Sequence, residues 1–281
     1  MEQQQNWGAG LHNYRQVTPQ IEELPFQARE AINVLRGNIQ LSGYDLKVIA
    51  ITSARENEGK SSIAFRLAKS LAALGKRTIY LDCDIRNSKT MTRYQIQQSV
   101  CGLTEFLCGR VAMTDIVYHT DDQFLDMIFT GAAAPNPSEL ISGPLFVQLL
   151  EELKKNYDYI IVDTPPVNPV IDGALIAKKC DGTVLVIEHG LTERAQAVKA
   201  KKQLEYAGIK ILGVVMNKIG WNKKSYGYGY GYGYGYGYGY GYGYGYGYGE
   251  KKSKAAKKEA AKAAKASKKE KPDRDKKRTR A

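Results

Sequence analysis

The segment VIAITSARENEGKSS, Val48–Ser62, constrains the fold of this chain more than any other part of it. An apolar run of strand type leads through a short polar loop into the start of an Ala/Leu-rich helix. The loop ends Gly59-Lys60-Ser61 and fits the P-loop pattern, with Ala54 in place of the first glycine. A glycine at 59 lets the backbone come close to a phosphate, and the amides there and at the helix N-terminus point at the anion. Lys60 reaches the outer phosphates, and the Ser61 hydroxyl suits a Mg²⁺ ligand. A bare GKS triplet is common by chance. Its place between an apolar strand and a helix marks it as a nucleotide site.

Six β-rich runs follow a strand pattern: Lys47–Thr52, Thr78–Leu81, Phe124–Phe129, Tyr159–Val162, Thr183–Ile187 and Ile211–Met216. Stretches long enough for helices separate most of them, which requires crossover connections and a mainly parallel sheet covered on both faces. The spacing of Phe26, Ile32, Leu35 and Ile39 predicts a helix over 25–41 with these residues near one face. The expected fold class is therefore α/β, a P-loop NTPase-like domain over 25–222. A polar, loosely ordered segment, 1–24, precedes it, and a disordered Tyr/Gly and Lys-rich tail follows it.

Two further segments carry acidic strand ends. TIYLDCDIR places Asp82 and Asp84 just past the second strand, with Arg86 beyond, and YIIVDTPP places Asp163 at the end of another. Ligands of an open α/β sheet bind at the carboxyl ends of the strands. Lys60, Asp82, Asp84 and Asp163 are thus expected to converge on one Mg²⁺–nucleotide. A single strand-end aspartate is often only a cap. Three that coincide with a P-loop are not explained that way.

The tail begins with a tyrosine at every even position of residues 226–248, a glycine between each pair: Tyr226, Tyr228, Tyr230, Tyr232, Tyr234, Tyr236, Tyr238, Tyr240, Tyr242, Tyr244, Tyr246 and Tyr248. So much glycine makes an isolated strand costly, and a mobile chain is expected over 223–249. Residues 250–281 are Lys/Ala-rich, with 15 Lys/Arg against 5 Asp/Glu, so they carry +10 of the overall +12. The rest of the chain has no obvious nucleic-acid-binding charge, and no specific nucleic acid is expected as a partner. Cys83, Cys101, Cys108 and Cys180 show no CxxC spacing, which argues against a structural zinc site or a disulfide framework. No apolar run reaches the roughly 18 residues of a membrane span, so a cytoplasmic protein is expected.

The set SARENEGKSS, TIYLDCDIR and YDYIIVDTPPV resembles the Walker A, A′ and B motifs of the bacterial tyrosine kinases of capsule and exopolysaccharide systems. GLTEFLCG (Gly102–Gly109), GAAAPNPSELISG (Gly131–Gly143) and the closing ILGVVMNK also resemble family segments, so the resemblance covers roughly residues 25–220. It implies ATP and Mg²⁺ as cofactors, with Ala54, Arg55, Glu58, Gly59, Lys60, Ser61 and Ser62 at the phosphates and Asn217 at the adenine. It implies Ser61, Asp82, Asp84 and Asp163 around the metal, and Lys60, Asp82, Asp84, Asp163 and Arg86 in catalysis, with an Asp82/Asp84 carboxylate activating a phenol. The twelve tail tyrosines become acceptors in an autokinase reaction. The resemblance also implies a membrane-anchored activator of the polysaccharide chain-length-regulator type, an opposing phosphatase, and peripheral attachment to the inner face of the membrane through that activator.

The family's oligomerisation helix carries Glu-x-x-Arg-x-x-Arg. Here Glu30 and Arg36 match, but Asn33 replaces the first arginine, which makes a ring of subunits less secure. Arg55 stands where deviant-Walker ATPases have a signature lysine, or is only an exposed loop charge. The competing expectation is a partition- or septum-type ATPase switch whose tail serves assembly or nucleic-acid contact. A Gly-rich coil from Trp221 to Tyr248 spans roughly 30 Å, enough to reach a neighbouring subunit. About six phosphates at −1.5 to −2 charges each would cancel the +10 of the Lys-rich end.

Overall fold

All six residues of β1 (Val48–Ser53) are buried, because the strand is covered on both faces. Ile49 and Ile51 pack on one face against Phe65, Leu67 and Leu71 of α2 (Lys60–Ala72) and Ile32 and Ile39 of α1 (Phe26–Leu41). On the other face Val48 joins a second apolar cluster and Ala50 a third. This two-sided burial is why the strand reads as a continuous apolar run and not as an alternation. The structure is a computed structural model that describes residues 15–43 and 45–220. The tyrosine–glycine repeat, the Lys-rich end and residues 1–14 lie outside the described residues.

The remaining strands are β2 (Thr78–Asp82), β3 (Tyr118–His119), β4 (Leu125–Ile128), β5 (Tyr159–Asp163), β6 (Gly182–Glu188) and β7 (Ile211–Asn217). They form one sheet in the order β3-β4-β2-β5-β1-β6-β7, parallel throughout except for the β3–β4 pair. The helices between strands include α3 (Thr90–Arg93), α4 (Leu103–Leu107), α5 (Pro137–Ser142), α6 (Pro144–Asn156), α7 (Asp172–Ala177) and α8 (Arg194–Tyr206). Each of the six expected strands is present, and the helix expected over 25–41 is α1.

Three expectations need correction. The two-residue β3 went unread, because two residues carry no periodicity. The 1–24 segment is not loose throughout: Val17 N–H donates to His119 O at 2.9 Å, His119 N–H donates to Arg15 O at 3.0 Å, and Val17 is buried. This backbone pairing extends the sheet edge beyond β3. Phe26 is 63% exposed, with the Arg29 guanidinium 5.8 Å from its ring centroid, so only Ile32 and Ile39 of the expected face are fully buried.

The segments beginning at Gly102 and Gly131 meet in one joint. Glu105 Oε2 accepts Gly102 N–H at 2.8 Å, and Oε1 accepts Ala132 N–H at 2.9 Å. A Cβ at Gly102 would lie 2.2 Å from Gly131 N and 2.4 Å from Phe129 O, backbone atoms that cannot turn aside. Gly102→Ala is expected to lower unfolding stability by at least about 2 kcal/mol in urea melts.

His119 Nδ1 lies 2.6 Å from Asp126 Oδ1, and Asp126 Oδ2 also accepts the Tyr157 hydroxyl at 2.6 Å. The Asp126 hydrogen bond raises the His119 pKa above its ordinary value. The folded state therefore holds the imidazole proton to higher pH than the unfolded chain. That contribution is fully present below the ordinary histidine pKa and is lost as pH rises through the folded one. Amide protection at Val17 and His119, corrected for intrinsic exchange, should fall as pH rises through the raised His119 pKa. His119→Gln should remove that pH dependence.

Candidate active site

The sheet order lays β5 between β1 and β2, which carries three separated motifs to one place. Asp82 and Asp163 are register partners at the carboxyl ends of β2 and β5, and Asp163 is also the partner of Ile51 in β1. The loop after β1 ends at Gly59, which caps α2 in the left-handed region at φ +92°. The positive φ demands glycine, and a Cβ there would also displace the Asn217 amide, 2.2 Å away at Nδ2. Lys60, the first residue of α2, turns its ammonium inward. Its Nζ lies 2.8 Å from Asp84 Oδ2 and 3.7 Å from Asp163 Oδ1, and the side chain is only 11% exposed.

Burial opposes the charge on Lys60, but Asp163 and Asp84 outweigh it and hold its pKa above the ordinary value. Burial, then the charge of Asp163, pushes the Asp82 carboxyl up to about 6. Asp163 is raised as well, chiefly by burial and against the pull of Lys60. Two buried carboxylates thus pair with one ammonium and a third, Asp82, lies close behind, and the excess negative charge favours a further cation. Asp163 Oδ1 is buried and accepts no hydrogen bond, so it has an oxygen to offer. Among the described residues no group of three or more His, Cys, Asp or Glu forms a metal cage. Mg²⁺ fits this donor set, since it keeps several waters and takes the rest of its ligands from one or two carboxylates and substrate phosphates.

Gly59, Lys60, Ser61 and Asp84 line one pocket, whose rim includes the cations Lys89 and Arg93. Asp82 lies behind it: its Oδ2 accepts the Ser88 hydroxyl at 2.5 Å and its Oδ1 accepts Asp84 N–H at 3.1 Å. Ala54 is buried, and Arg55 is exposed, its backbone N–H donating to Glu58 Oε2 at 2.9 Å. Glu58 is buried and also accepts the Thr192 hydroxyl, so it braces the loop from within. Asn217 Nδ2 donates to Glu58 O at 2.9 Å, and Lys218 Nζ donates to Asn57 O at 2.6 Å, tying the end of β7 to the loop.

Other assigned residues lie elsewhere. The Ser62 hydroxyl accepts Arg66 Nε–H at 3.4 Å. The Arg86 guanidinium is held by buried Asp172 at the start of α7 and donates to Ser138 Oγ at 3.1 Å, so it does not join the Lys60 cluster. Glu30 Oε1 accepts Asn33 Nδ2 at 2.9 Å, while Arg36 donates to Ser70 Oγ and O of α2 at 2.7 and 2.9 Å.

Lys89, Arg93 and Ser88 had no motif to announce them, and Tyr80 lay unremarked within TIYLDCDIR. Tyr80 stands two residues before Asp82 on β2, fully buried, and its hydroxyl donates to Asp163 Oδ2 at 3.1 Å. This bond fixes Oδ2, while Oδ1 faces the Lys60 ammonium at 3.7 Å. The nearby Tyr94 hydroxyl is also buried but has no hydrogen-bond partner. Tyr80→Phe is expected to cost about 1–3 kcal/mol of stability, because it strips a donor from a buried carboxylate. Tyr94→Phe should cost less than Tyr80→Phe, read by urea denaturation of both variants.

A model of the AAA domain family, AAA_31, matches residues 46–191. Tyrosine-protein kinase CpsD of Streptococcus agalactiae is 41% identical over 201 residues, covering 72% of this chain and 88% of that protein. Tyrosine-protein kinase YwqD of Bacillus subtilis is 38% identical over 190 residues, covering 67% of this chain and 80% of that protein. Among solved structures, the kinase domain of the Escherichia coli tyrosine kinase ETK aligns with a TM-score of 0.66 at 29% identity, covering 77% of this chain and 88% of that one. The septum site-determining protein MinD of Pyrococcus horikoshii aligns at 0.54 with 20% identity, which shows a shared fold alone. With a P-loop lysine buried among strand-end aspartates, and with these relatives, the chain belongs to the bacterial tyrosine-protein kinase family and is a tyrosine-protein kinase of P-loop fold.

Proposed function

We propose that the chain is an ATP-dependent autokinase that phosphorylates its own tyrosine cluster, Tyr226–Tyr248, in trans, and thereby regulates capsular or exopolysaccharide synthesis and export. The observation that carries this reading is the buried cluster of Lys60 with Asp82, Asp84 and Asp163 at the end of a loop built for phosphate. The twelve glycine-flanked phenols on the same chain supply the acceptors.

In this reading the Gly59–Ser61 amides and Lys60 hold the phosphates of ATP in place of the carboxylates that now occupy the ammonium. Ser61 and Asp163 would hold Mg²⁺, which when bound would supply charge neutralisation to the transferred group. The acceptor oxygen forms a bond to the γ-phosphorus as the bond from that phosphorus to the bridging oxygen breaks and ADP leaves. A free phenol has a pKa near 10, so its proton passes to a carboxylate of the Asp82/Asp84 pair. Of the two, Asp84 lines the phosphate pocket, while Asp82 lies behind it. Asn217 lies against Gly59 and is assigned to the adenine side.

Among the described residues no helix is long and apolar enough to cross a membrane. A membrane-anchored activator of the chain-length-regulator type would then bring the kinase to the inner face of the membrane. Glu30 and Arg36 would take part in a ring of subunits, and a protein-tyrosine phosphatase would reset the tail. About six tail phosphates would cancel the +10 of residues 250–281, and twelve would reverse its sign, loosening contacts that depend on it.

The test is full-length protein with Mg²⁺-ATP and the activator's cytoplasmic segment, read by phosphotyrosine mass spectrometry. Phosphate is expected on Tyr226–Tyr248, at least about a hundredfold less with Lys60→Met, and lost when the chain ends at Ser225. A wild-type tail that stays free of phosphate would overturn the autokinase reading. Phosphate that persists in Lys60→Met would overturn the assigned site.

A further inference from the structure

A second cleft lies between α1, α2 and the chain that leads into α1. It shares no lining residue with the phosphate pocket. Its volume is about 310 Å³, at the lower end of the ~300–1,000 Å³ range of small-molecule sites. Four cations line it: Arg29 and Arg36 of α1, and Arg66 and Lys69 of α2. Glu22 and Glu23 line it too, so four positive and two negative groups leave a net of +2. Ile21, Leu24, Ile32 and Ala73 give the same cleft an apolar wall.

The fold does not neutralise these cations. Among the described residues, none of the four forms an ion pair with a carboxylate. Two of them are fixed by uncharged acceptors instead. Arg36 Nη1 donates to Ser70 Oγ at 2.7 Å and to Ser70 O at 2.9 Å. Arg66 donates from Nη2 to Glu22 O at 3.1 Å and from Nε to Ser62 Oγ at 3.4 Å. A guanidinium carries five N–H groups, so each keeps donors to spare, and its charge stays uncompensated. Lys69 is exposed beside them. Two positioned guanidiniums and an ammonium thus line a concave site that also offers apolar surface.

We infer that this cleft binds a phosphotyrosine, with its phosphate on Arg36, Arg66 and Lys69 and its ring against Leu24 and Ile32. The occupant is a phosphorylated tyrosine of residues 226–248 from another copy of this chain, so the source of the ligand rests on the autokinase reading. Arginine forks grip phosphate oxygens in pairs, and arginine clusters recognise phosphorylated side chains for that reason. The charges match, since one phosphate of about −1.5 to −2 meets the +2 of the cleft. An unmodified phenol is neutral, so the cleft separates product from substrate. Inorganic phosphate would leave the apolar wall bare, whereas a ring covers it. Glu22 and Glu23 repel a ligand with acidic neighbours, and residues 226–249 contain no acidic side chain. Glycine on both sides of each tyrosine keeps the rim clear, so any of the twelve enters in the same way. The kinase thereby retains its own phosphorylated tail.

The test uses full-length protein, treated with phosphatase and held in Mg²⁺-ADP so that the phosphate pocket is filled. The probe is a fluorescein-labelled peptide of three Tyr-Gly repeats with phosphate on its central tyrosine, read by anisotropy. It should bind at least about tenfold more tightly than the same peptide without phosphate. Lys69→Glu and Arg66→Gln should each weaken binding at least about tenfold while ADP affinity stays within about twofold of wild type. Phenyl phosphate should displace the probe at a concentration at least about tenfold below that of inorganic phosphate. Equal affinity for the two peptides, or unchanged binding in Lys69→Glu, would overturn the proposal. Equal displacement by the two phosphates would overturn the assignment to phosphotyrosine. If Arg66→Gln loses ADP binding, Lys69→Glu decides, because that side chain is exposed. A protein that binds the synthetic phosphopeptide but never phosphorylates its own tail would leave the cleft standing and overturn the autokinase reading.

Discussion

The buried ammonium of Lys60 between Asp84 and Asp163 is the interaction on which the rest of this structure depends. A charge with so little exposure needs partners, and those partners come from just past the end of β2 and from the end of β5, strands that flank each other but lie far apart in sequence. One residue at the start of α2 thereby requires the crossover order of the sheet, the closeness of three motifs and the burial of their carboxylates. With three carboxylates and one ammonium, the cluster is incompletely neutralised. It is poised to exchange protein partners for phosphate and a metal.

Around this centre the surrounding elements hold the loop and the aspartates still. Tyr80 fixes one oxygen of Asp163 from within the core, and Ser88 fixes Asp82. Glu58 and Asn217 grip the loop from opposite directions, one with its carboxylate on the Arg55 N–H and one from the end of β7. The Glu105 joint lies away from the phosphate pocket and secures the loops that follow α3 and β4. Preorganisation of this kind is what phosphoryl transfer asks of a protein, since little of the work is covalent.

The six long strands were legible because parallel strands buried on both faces leave continuous apolar runs. The P-loop was legible because its chemistry fixes residue types at fixed spacing. Asp82 and Asp163 were legible as strand ends, and the expected convergence with Lys60 is what the register produces. Arg86 looked like a member of the same set because it follows the Asp82-x-Asp84 spacing. The fold turns it instead toward Asp172, a residue 86 positions away that no local pattern connects to it. The β3 edge and its pairing with residues 15–17 left no mark either, because they rest on a few backbone hydrogen bonds between distant segments.

By itself, then, the sequence determined the fold class, the identity of the phosphate loop and the presence of twelve equivalent phenols with a basic end behind them. These follow from local periodicity, fixed motif spacing and composition, all of which act over short stretches of chain. The tertiary structure decided which carboxylates share the ammonium, which oxygen of Asp163 faces it, and where Arg86 points. It also decided that four cations of α1 and α2 line one cleft apart from the phosphate pocket. Those properties depend on burial and on contacts between segments remote in sequence, and only the folded chain brings such segments together.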